Sequence, residues 1–174
     1  MAGARPLGPA AGAAPADEVF LKYYTGKDYS TSLEGVLKML SAIVSVVSAV
    51  LFLGWSACLR SPGLAAAAAG SALAGGAASA LLFGGVVLGL PLRAPQFYLL
   101  TDIIVSTVAG LLLLVTAVLN ITVCEFYSVV SYLHGPLAVL NAGMVIASAV
   151  ITYVGVMRLW DAAHPPPPPA ELDV

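Results

Sequence analysis

The sequence predicts an all-α membrane protein, a bundle of four transmembrane helices with the N- and C-termini in the cytoplasm. Of the 174 residues, 60% are hydrophobic and only 9% are charged, and the mean hydropathy is +0.97. Soluble domains average roughly 25% charged residues. This chain has too few charges to cover a globule with polar surface, so part of its surroundings must be lipid.

Residues Met1–Ser32 contain no apolar core of a signal peptide. Residues 1–31 are predicted to be a disordered cytoplasmic tail, because Ala, Gly and Pro dominate Met1–Ala16. The sequence Thr31-Ser32-Leu33-Glu34 fits a capping box, with Thr31 as the N-cap and Glu34 reaching back to it. It predicts that a helix starts just before the first apolar run. The tail also holds a tyrosine cluster, Tyr23, Tyr24 and Tyr29.

The transmembrane domain is predicted over residues 32–160, with one helical span in each of four continuously apolar runs. The spans cover about 33–59, 63–90, 98–124 and 135–160. Turn residues separate the first two spans at Arg60–Gly63 and the next two at Pro91–Pro95. Residues 161–174, with the run Pro165–Pro169, are predicted to be a Pro-rich cytoplasmic C-terminal tail.

The orientation follows from the Lys and Arg residues, which are enriched in cytoplasmic loops. With the N-terminus inside, only Arg60 lies on the outer side. The other six of the seven basic residues then lie on the cytoplasmic side: Arg5, Lys22, Lys27, Lys38, Arg93 and Arg158.

Small residues recur at four-residue spacing in the second span and, less densely, in the fourth. In lipid, small side chains let helix backbones approach closely and so favour helix association. We expect them either to pack helices within one bundle or to form a face for a partner protein or a second copy. The residues are Gly70, Ala74, Gly75, Ser79, Gly85, Gly89, Gly143 and Ala147.

Two features lie at the outer ends of the spans. Under the predicted orientation Cys58 and Cys124 both face an oxidising compartment, so they form either a disulfide or two unpaired thiols. Asn120-Ile121-Thr122 matches the N-glycosylation sequon. Its place at the very end of a span, close to the membrane, favours an unmodified Asn120.

No pattern typical of an enzyme is present, and no catalytic residue, cofactor or metal site is predicted. His134 is assigned to a loop and His164 to the tail, and no Cys/His cluster suits a metal. A net charge of −2 provides no footprint for nucleic acid. The long uncharged runs argue against a pump or a coupled transporter. Asp102 is interpreted as a carboxylate at the positive end of a helix dipole.

The C-terminal residues Leu172, Asp173 and Val174 have the hydrophobic-x-hydrophobic form with a free carboxylate that peptide-binding domains capture. They predict a cytoplasmic adaptor as one partner, besides the lipid bilayer and other membrane proteins.

Three local sequences resemble the MARVEL-domain tetraspan proteins, in particular the chemokine-like-factor-like and proteolipid branch. They are Ser32–Lys38 before the first span, Leu100-Thr101-Asp102-Ile103 at the start of the third, and Tyr153–Trp160 at the end of the fourth. The resemblance covers roughly Ser32 to Trp160. The Ala/Gly-rich second span and Ala94–Phe97, where the family often has Trp-Pro, depart from it. The resemblance implies membrane apposition, vesicle trafficking or escort of partner membrane proteins, without catalysis.

Two functional hypotheses follow. The first is a non-enzymatic scaffold or partner escort in the plasma membrane or in an endomembrane or vesicle, either as a single chain or as a homo-oligomer. The alternative is an auxiliary or pore-forming subunit of a channel or transporter, in which serines of the first span and Asn141 of the fourth line a narrow path.

Overall fold

The computed structural model describes residues 21–24, 29–54, 61–124 and 129–163, and this part of the chain contains helices and no strand. Four of these helices are long and apolar enough to cross a membrane. The shortest has 22 residues, or about 33 Å at 1.5 Å per residue, against a hydrocarbon core of about 30 Å. The predicted all-α, four-helix membrane fold is confirmed. The helices are α1 (Leu33–Gly54), α2 (Pro62–Val87), α3 (Pro95–Val123) and α4 (Val129–Ala163).

Helix α1 starts one residue later than the capping box predicted. The Ser32 hydroxyl accepts a hydrogen bond from the Gly35 backbone N–H at 3.1 Å, so Ser32 is the N-cap. A 3-10 turn, Tyr29–Thr31, precedes it. The predicted box with Thr31 and Glu34 is wrong, because Glu34 is engaged by other side chains in the interior of the bundle.

Proline and glycine set the ends of α2 and α3. Pro62 and Pro95 lie in the first turn of their helices, where the missing N–H removes no intrahelical bond. After α2, Gly89 has φ 74°, in the left-handed region that favours glycine. Gly89, predicted to lie on a packing face, therefore belongs to the turn that ends α2. The Gly85–Gly89 pair does not form one helix surface.

The four helices pack as a closed ring. Each helix contacts its neighbours in sequence, and α1 also packs against α4. Small side chains allow this, because added methyl groups would collide across the interfaces. A Cβ on Gly76 of α2 would lie 2.7 Å from Ser45 Cβ, and one on Gly110 of α3 would lie 2.5 Å from Ile146 Cγ1.

The segment before α1 is part of the bundle. Residues 21–24 are helical, and the side chains of Tyr23, Tyr24 and Tyr29 are buried, with 3%, 7% and 8% of their surface exposed. The prediction of a disordered tail over residues 1–31 is therefore wrong for residues 21–24 and 29–31, whereas residues 1–20 and 25–28 lie outside the described residues. The tyrosine rings account for the difference, since Tyr23 and Tyr24 pack with Leu99 and Val156 at one end of the bundle and Tyr29 lies beside Phe83.

Candidate functional site

A charged cluster lies inside the bundle at the end where the N-terminal segment packs. Glu34 and Lys38 are four residues apart on α1, and Lys38 Nζ lies 3.0 Å from Glu34 Oε1. The same ammonium group donates to Asp102 Oδ2 on α3. Only 2% of Glu34, 2% of Lys38 and none of Asp102 is exposed. Lys38 thus bridges two carboxylates on different helices, within the membrane-spanning part of the chain.

Two tyrosines of the N-terminal segment complete this cluster. Tyr23 donates to Glu34 Oε2 at 2.5 Å, and Tyr29 donates to Glu34 Oε1 at 2.9 Å. The Tyr29 hydroxyl also accepts from Lys38 Nζ at 3.0 Å. Burial, and next the negative charge of Glu34, raise the pKa of Tyr23 and of Tyr29. The two phenols therefore stay neutral hydrogen-bond donors over the ordinary pH range.

The prediction for Asp102 is wrong. It was interpreted as a carboxylate that benefits from the helix dipole, but it lies seven positions after Pro95, the first residue of α3. The dipole effect falls off within the first turn. Instead Asp102 is fully buried, accepts from Lys38, and accepts from Ser106 Oγ at 3.1 Å on its other oxygen. Charged residues are therefore buried within the helices, at positions just outside the long uncharged runs of the sequence.

Further along the bundle, serines of α1 bind polar side chains of α4. Ser41 donates to Asn141 Oδ1 at 2.8 Å, and Asn141 Nδ2 donates to Ser45 Oγ at 2.7 Å. Ser48 Oγ and His134 Nδ1 share a hydrogen bond of 3.1 Å. His134, predicted to lie in a loop, is a buried residue of α4. These bonds tie α1 to α4 at successive levels.

The spacing of polar residues along α1 was a sequence pattern from which the charged cluster could have been predicted. Glu34 and Lys38 continue the spacing of Ser41, Ser45 and Ser48 along α1, in steps of four and three residues. Residues at such steps share one helix face, and all five are buried. The tyrosine partners had no comparable signal, because their contacts depend on how the chain before α1 folds back.

Among the described residues, four buried side-chain atoms have no hydrogen-bond partner. They are the hydroxyl oxygens of Tyr24 and Ser148, Asn120 Nδ2 and His134 Nε2. Native proteins leave few such groups, so each calls for an explanation.

A groove lies on the lipid-facing side between α2 and α3, with a volume of about 320 Å³. The wall from α2 consists of small side chains, and the wall from α3 is mostly aliphatic. Exposed Ala74 lies at its rim. The lining residues are Ser71, Ala74, Gly75, Ala78, Ile104, Val105, Val108, Ala109 and Leu112.

The small residues predicted from sequence fall into two groups. Gly75, Ser79 and Gly85 are buried, and a Cβ on Gly75 would lie 2.9 Å from Leu113 Cδ1 of α3. Gly70 and Gly143 are exposed, and a Cβ on either would meet no atom within 4 Å. The first group therefore packs the bundle.

The second group faces outward. Ala74 is exposed beside the groove, and Ala147 is half-buried on α4. With Gly70 and Gly143, these positions are available to something outside the bundle.

The structure also places two of the residues predicted at the outer ends of the spans. Cys124 is disulfide-bonded, and Cys58, the other cysteine of the chain, lies outside the described residues. Asn120 is on α3 with 1% of its surface exposed. A glycan on Asn120 would require this end of α3 to unfold, so the sequon is not an accessible acceptor in this fold. The C-terminal motif Leu172–Val174 also lies outside the described residues.

Comparison of the chain with protein-family models, with curated proteins and with solved structures finds no match in any of the three. The resemblance to the MARVEL-domain proteins therefore stays a prediction from local sequence. Within the described residues no group of three or more His, Cys, Asp or Glu side chains is arranged to hold a metal ion. The functional interpretation depends on the geometry of the bundle.

Proposed function

We propose that the protein is a non-enzymatic tetraspan scaffold or partner escort, which organises other membrane proteins in trafficking membranes or at the cell surface. One observation carries the proposal. The polar side chains of the α1–α4 interface bond to one another, whereas a groove with small side chains on one wall faces the lipid. Polar side chains inside the bundle are hydrogen-bonded to one another, and small side chains on its outer surface leave room for a partner helix to approach closely.

The outward small residues support this proposal. Close approach of a partner helix requires little side-chain volume on the surface, and Gly70 and Ala74 lie one turn apart on the exposed side of α2. Gly143 offers a similar position on α4. The same surfaces suit a second copy of the chain, so homo-oligomerisation belongs to the proposal.

The channel alternative has less support from the geometry. It requires Ser41, Ser45 and Asn141 to face a water-filled path. Asn141 bonds directly to Ser41 at 2.8 Å and to Ser45 at 2.7 Å, and all three side chains are fully buried. Their hydrogen-bonding capacity is used between α1 and α4, which favours a role in holding the helices together.

Affinity purification in mild detergent tests the proposal. Gly70→Leu and Ala74→Leu fill the outward surface of α2 without touching the core. Ala80→Leu is the matched control, because Ala80 is also exposed but lies about 80° from Gly70 and about 120° from Ala74 around the helix, at about 100° per residue. Gly85→Leu is unsuitable, since its Cβ would lie 2.9 Å from the Tyr98 hydroxyl inside the bundle.

The scaffold proposal expects a specific membrane partner, or a second copy, to be retained by the unmodified chain and by Ala80→Leu and lost from Gly70→Leu and Ala74→Leu. If all three variants retain the same partners, the α2 surface is not the binding face. If the chain has no partner and liposomes carrying it conduct ions, the channel alternative replaces the proposal.

A further inference from the structure

The charged cluster at the end of the bundle is unbalanced. Glu34 and Asp102 supply two carboxylates and Lys38 supplies one ammonium group, and all three are at least 98% buried. The other described Lys and Arg side chains, Lys22, Arg93 and Arg158, are exposed. With every group ionised, the cluster would hold one net negative charge in the part of the chain that spans the membrane. Isolated buried charge of this kind is strongly unfavourable.

We propose that the cluster is a binding site for one exchangeable proton, which resides on Asp102 at neutral pH. With this proton the cluster carries one positive and one negative charge and is neutral as a whole. The proposal concerns the bundle itself and does not depend on the scaffold function.

The hydrogen bonds indicate which carboxylate holds the proton. Glu34 accepts from three donors, the Tyr23 hydroxyl, the Tyr29 hydroxyl and Lys38 Nζ. Several donors to one carboxylate favour its ionised form. Asp102 accepts from Lys38 Nζ on one oxygen, and among the described residues its other oxygen has only the Ser106 hydroxyl. A hydroxyl can accept as well as donate, so the Ser106 bond persists when Asp102 Oδ1 carries the proton and Ser106 accepts it.

The Tyr24 hydroxyl provides a second, independent observation. It is buried and has no hydrogen-bond partner among the described residues, and only 7% of the surface of Tyr24 is exposed. The Tyr24 ring packs edge-on against Tyr98, one turn before Asp102 on α3, with 5.8 Å between ring centroids. Burial, and next the charge of Asp102, raise the pKa of Tyr24. Tyr24 is thus a neutral hydroxyl near enough to Asp102 for a negative charge there to raise its pKa.

The groups around the site come from every element packed there. The N-terminal segment contributes Tyr23, Tyr24 and Tyr29, and α1 contributes Glu34 and Lys38. Helix α3 adds Tyr98 and Ser106, and α4 adds the buried hydroxyl of Thr152. Helix α2 presents the apolar side chains Phe83 and Val86. Among these described side chains, Lys38 is the one cation.

Infrared spectroscopy of the full chain in lipid nanodiscs at neutral pH tests the proposal. A protonated carboxylic acid has a carbonyl stretch well separated from that of a carboxylate. Chains made with ¹³C-labelled aspartate or with ¹³C-labelled glutamate assign it. We expect a protonated band that shifts with the aspartate label only. No such band, or a band that shifts with the glutamate label, overturns the proposal.

Variants test the charge balance. Asp102→Asn keeps an oxygen for Lys38 and leaves Glu34 as its one carboxylate partner, so it should abolish the band. Glu34→Gln should abolish it too, because Asp102 then ionises beside the Lys38 ammonium group. If Asp102→Asn fails to fold, Ser106→Ala serves instead, because loss of the hydroxyl bound to Asp102 Oδ1 should shift the band without removing it. A band that persists unchanged in Asp102→Asn, or in Ser106→Ala, contradicts a proton on Asp102.

Discussion

At the scale of single residues, Lys38 is the side chain that holds the charged cluster together. Its ammonium group is the shared partner of Glu34, Asp102 and the Tyr29 hydroxyl, and it joins α1 to α3. A buried ion pair adds little stability compared with an apolar pair of the same shape, but removal of one partner leaves uncompensated charge. The penalty should therefore appear on mutation of Lys38 itself.

We predict that Lys38→Met destabilises the folded bundle by about 3–5 kcal/mol, the usual consequence of breaking a buried ion pair. Denaturation of the purified protein in mixed micelles measures the change. Lys22→Met is the control, because the exposed side chain of Lys22 should contribute little. Equal stabilities for the two variants would show that Glu34 and Asp102 do not depend on Lys38.

The tyrosines make docking of the N-terminal segment dependent on pH at the alkaline end. Burial and Glu34 raise the pKa of Tyr23 and of Tyr29 above the ordinary value of about 10. Because the folded-state pKa is higher than that of the undocked chain, the contribution to stability is fully present below about pH 10. It is lost as the pH rises further.

We therefore expect the docking of residues 21–24 and 29–31 to be constant below about pH 10 and to weaken above it. Hydrogen exchange of their backbone amides measures the docking. Since amide exchange itself accelerates with pH, protease cleavage near Tyr23 provides a second measurement. In Tyr23→Phe with Tyr29→Phe the segment should be more loosely docked at neutral pH, and the alkaline loss should shrink. An unchanged alkaline profile in this double variant would contradict the assignment.

At the scale of the helices, close approach depends on a few glycines, and Gly155 of α4 tests this most directly. A Cβ on Gly155 would lie 2.7 Å from Tyr23 Cε2, whereas a Cβ on Gly143 of the same helix would meet no atom within 4 Å. The obstructed atom belongs to a side chain of the N-terminal segment. The segment can therefore move away without any change in the packing of α1–α4.

We predict that Gly155→Leu releases the N-terminal segment and leaves the four-helix bundle folded. Protease sensitivity near residues 21–24 should increase severalfold, while the helical circular dichroism of the detergent-solubilised protein stays constant. Gly143→Leu is the matched control and should match the unmodified chain in both measurements. Release in both variants, or in neither, would show that Tyr23 does not pack on Gly155 in solution.

At the scale of the whole molecule, the ring of α1–α4 brings the starts of α1 and α3 to the same end as the finish of α4. For this reason Lys38, Asp102 and Thr152 meet, although they are distant in sequence. The opposite end contains Phe52, Ala68, Ala69 and Cys124 in one apolar cluster. The two ends therefore differ in polarity, because one holds the charged cluster and the other holds apolar side chains.

The uneven distribution of Lys and Arg in the sequence predicts that both termini are cytoplasmic. Tags placed at the two ends of the full chain should both be cleaved or labelled from the cytoplasmic side of sealed membranes, and both protected from the other side. A tag that is accessible only from the outer side would contradict the orientation. If it is the N-terminal tag, the N-terminal tyrosine segment lies on the outer side.

The sequence by itself determined the fold class and the approximate helices. Four long apolar runs without charged residues are unfavourable in water and favourable in lipid. In lipid the backbone N–H and C=O groups must form hydrogen bonds with each other, and within one segment only a helix achieves this. Prolines at the helix starts fixed boundaries that local chemistry controls. These features depend only on neighbouring residues, so pattern and propensity were sufficient.

Only the tertiary structure decided which polar residues meet. Glu34 appeared to be a cap and Asp102 a dipole partner, because local sequence describes each helix alone. The ring of helices brings Lys38 between them, and the N-terminal segment folds back so that Tyr23 and Tyr29 bind Glu34. In a low-dielectric interior, a charge takes its partners from whichever helix lies nearest in space, and that neighbour is set by packing.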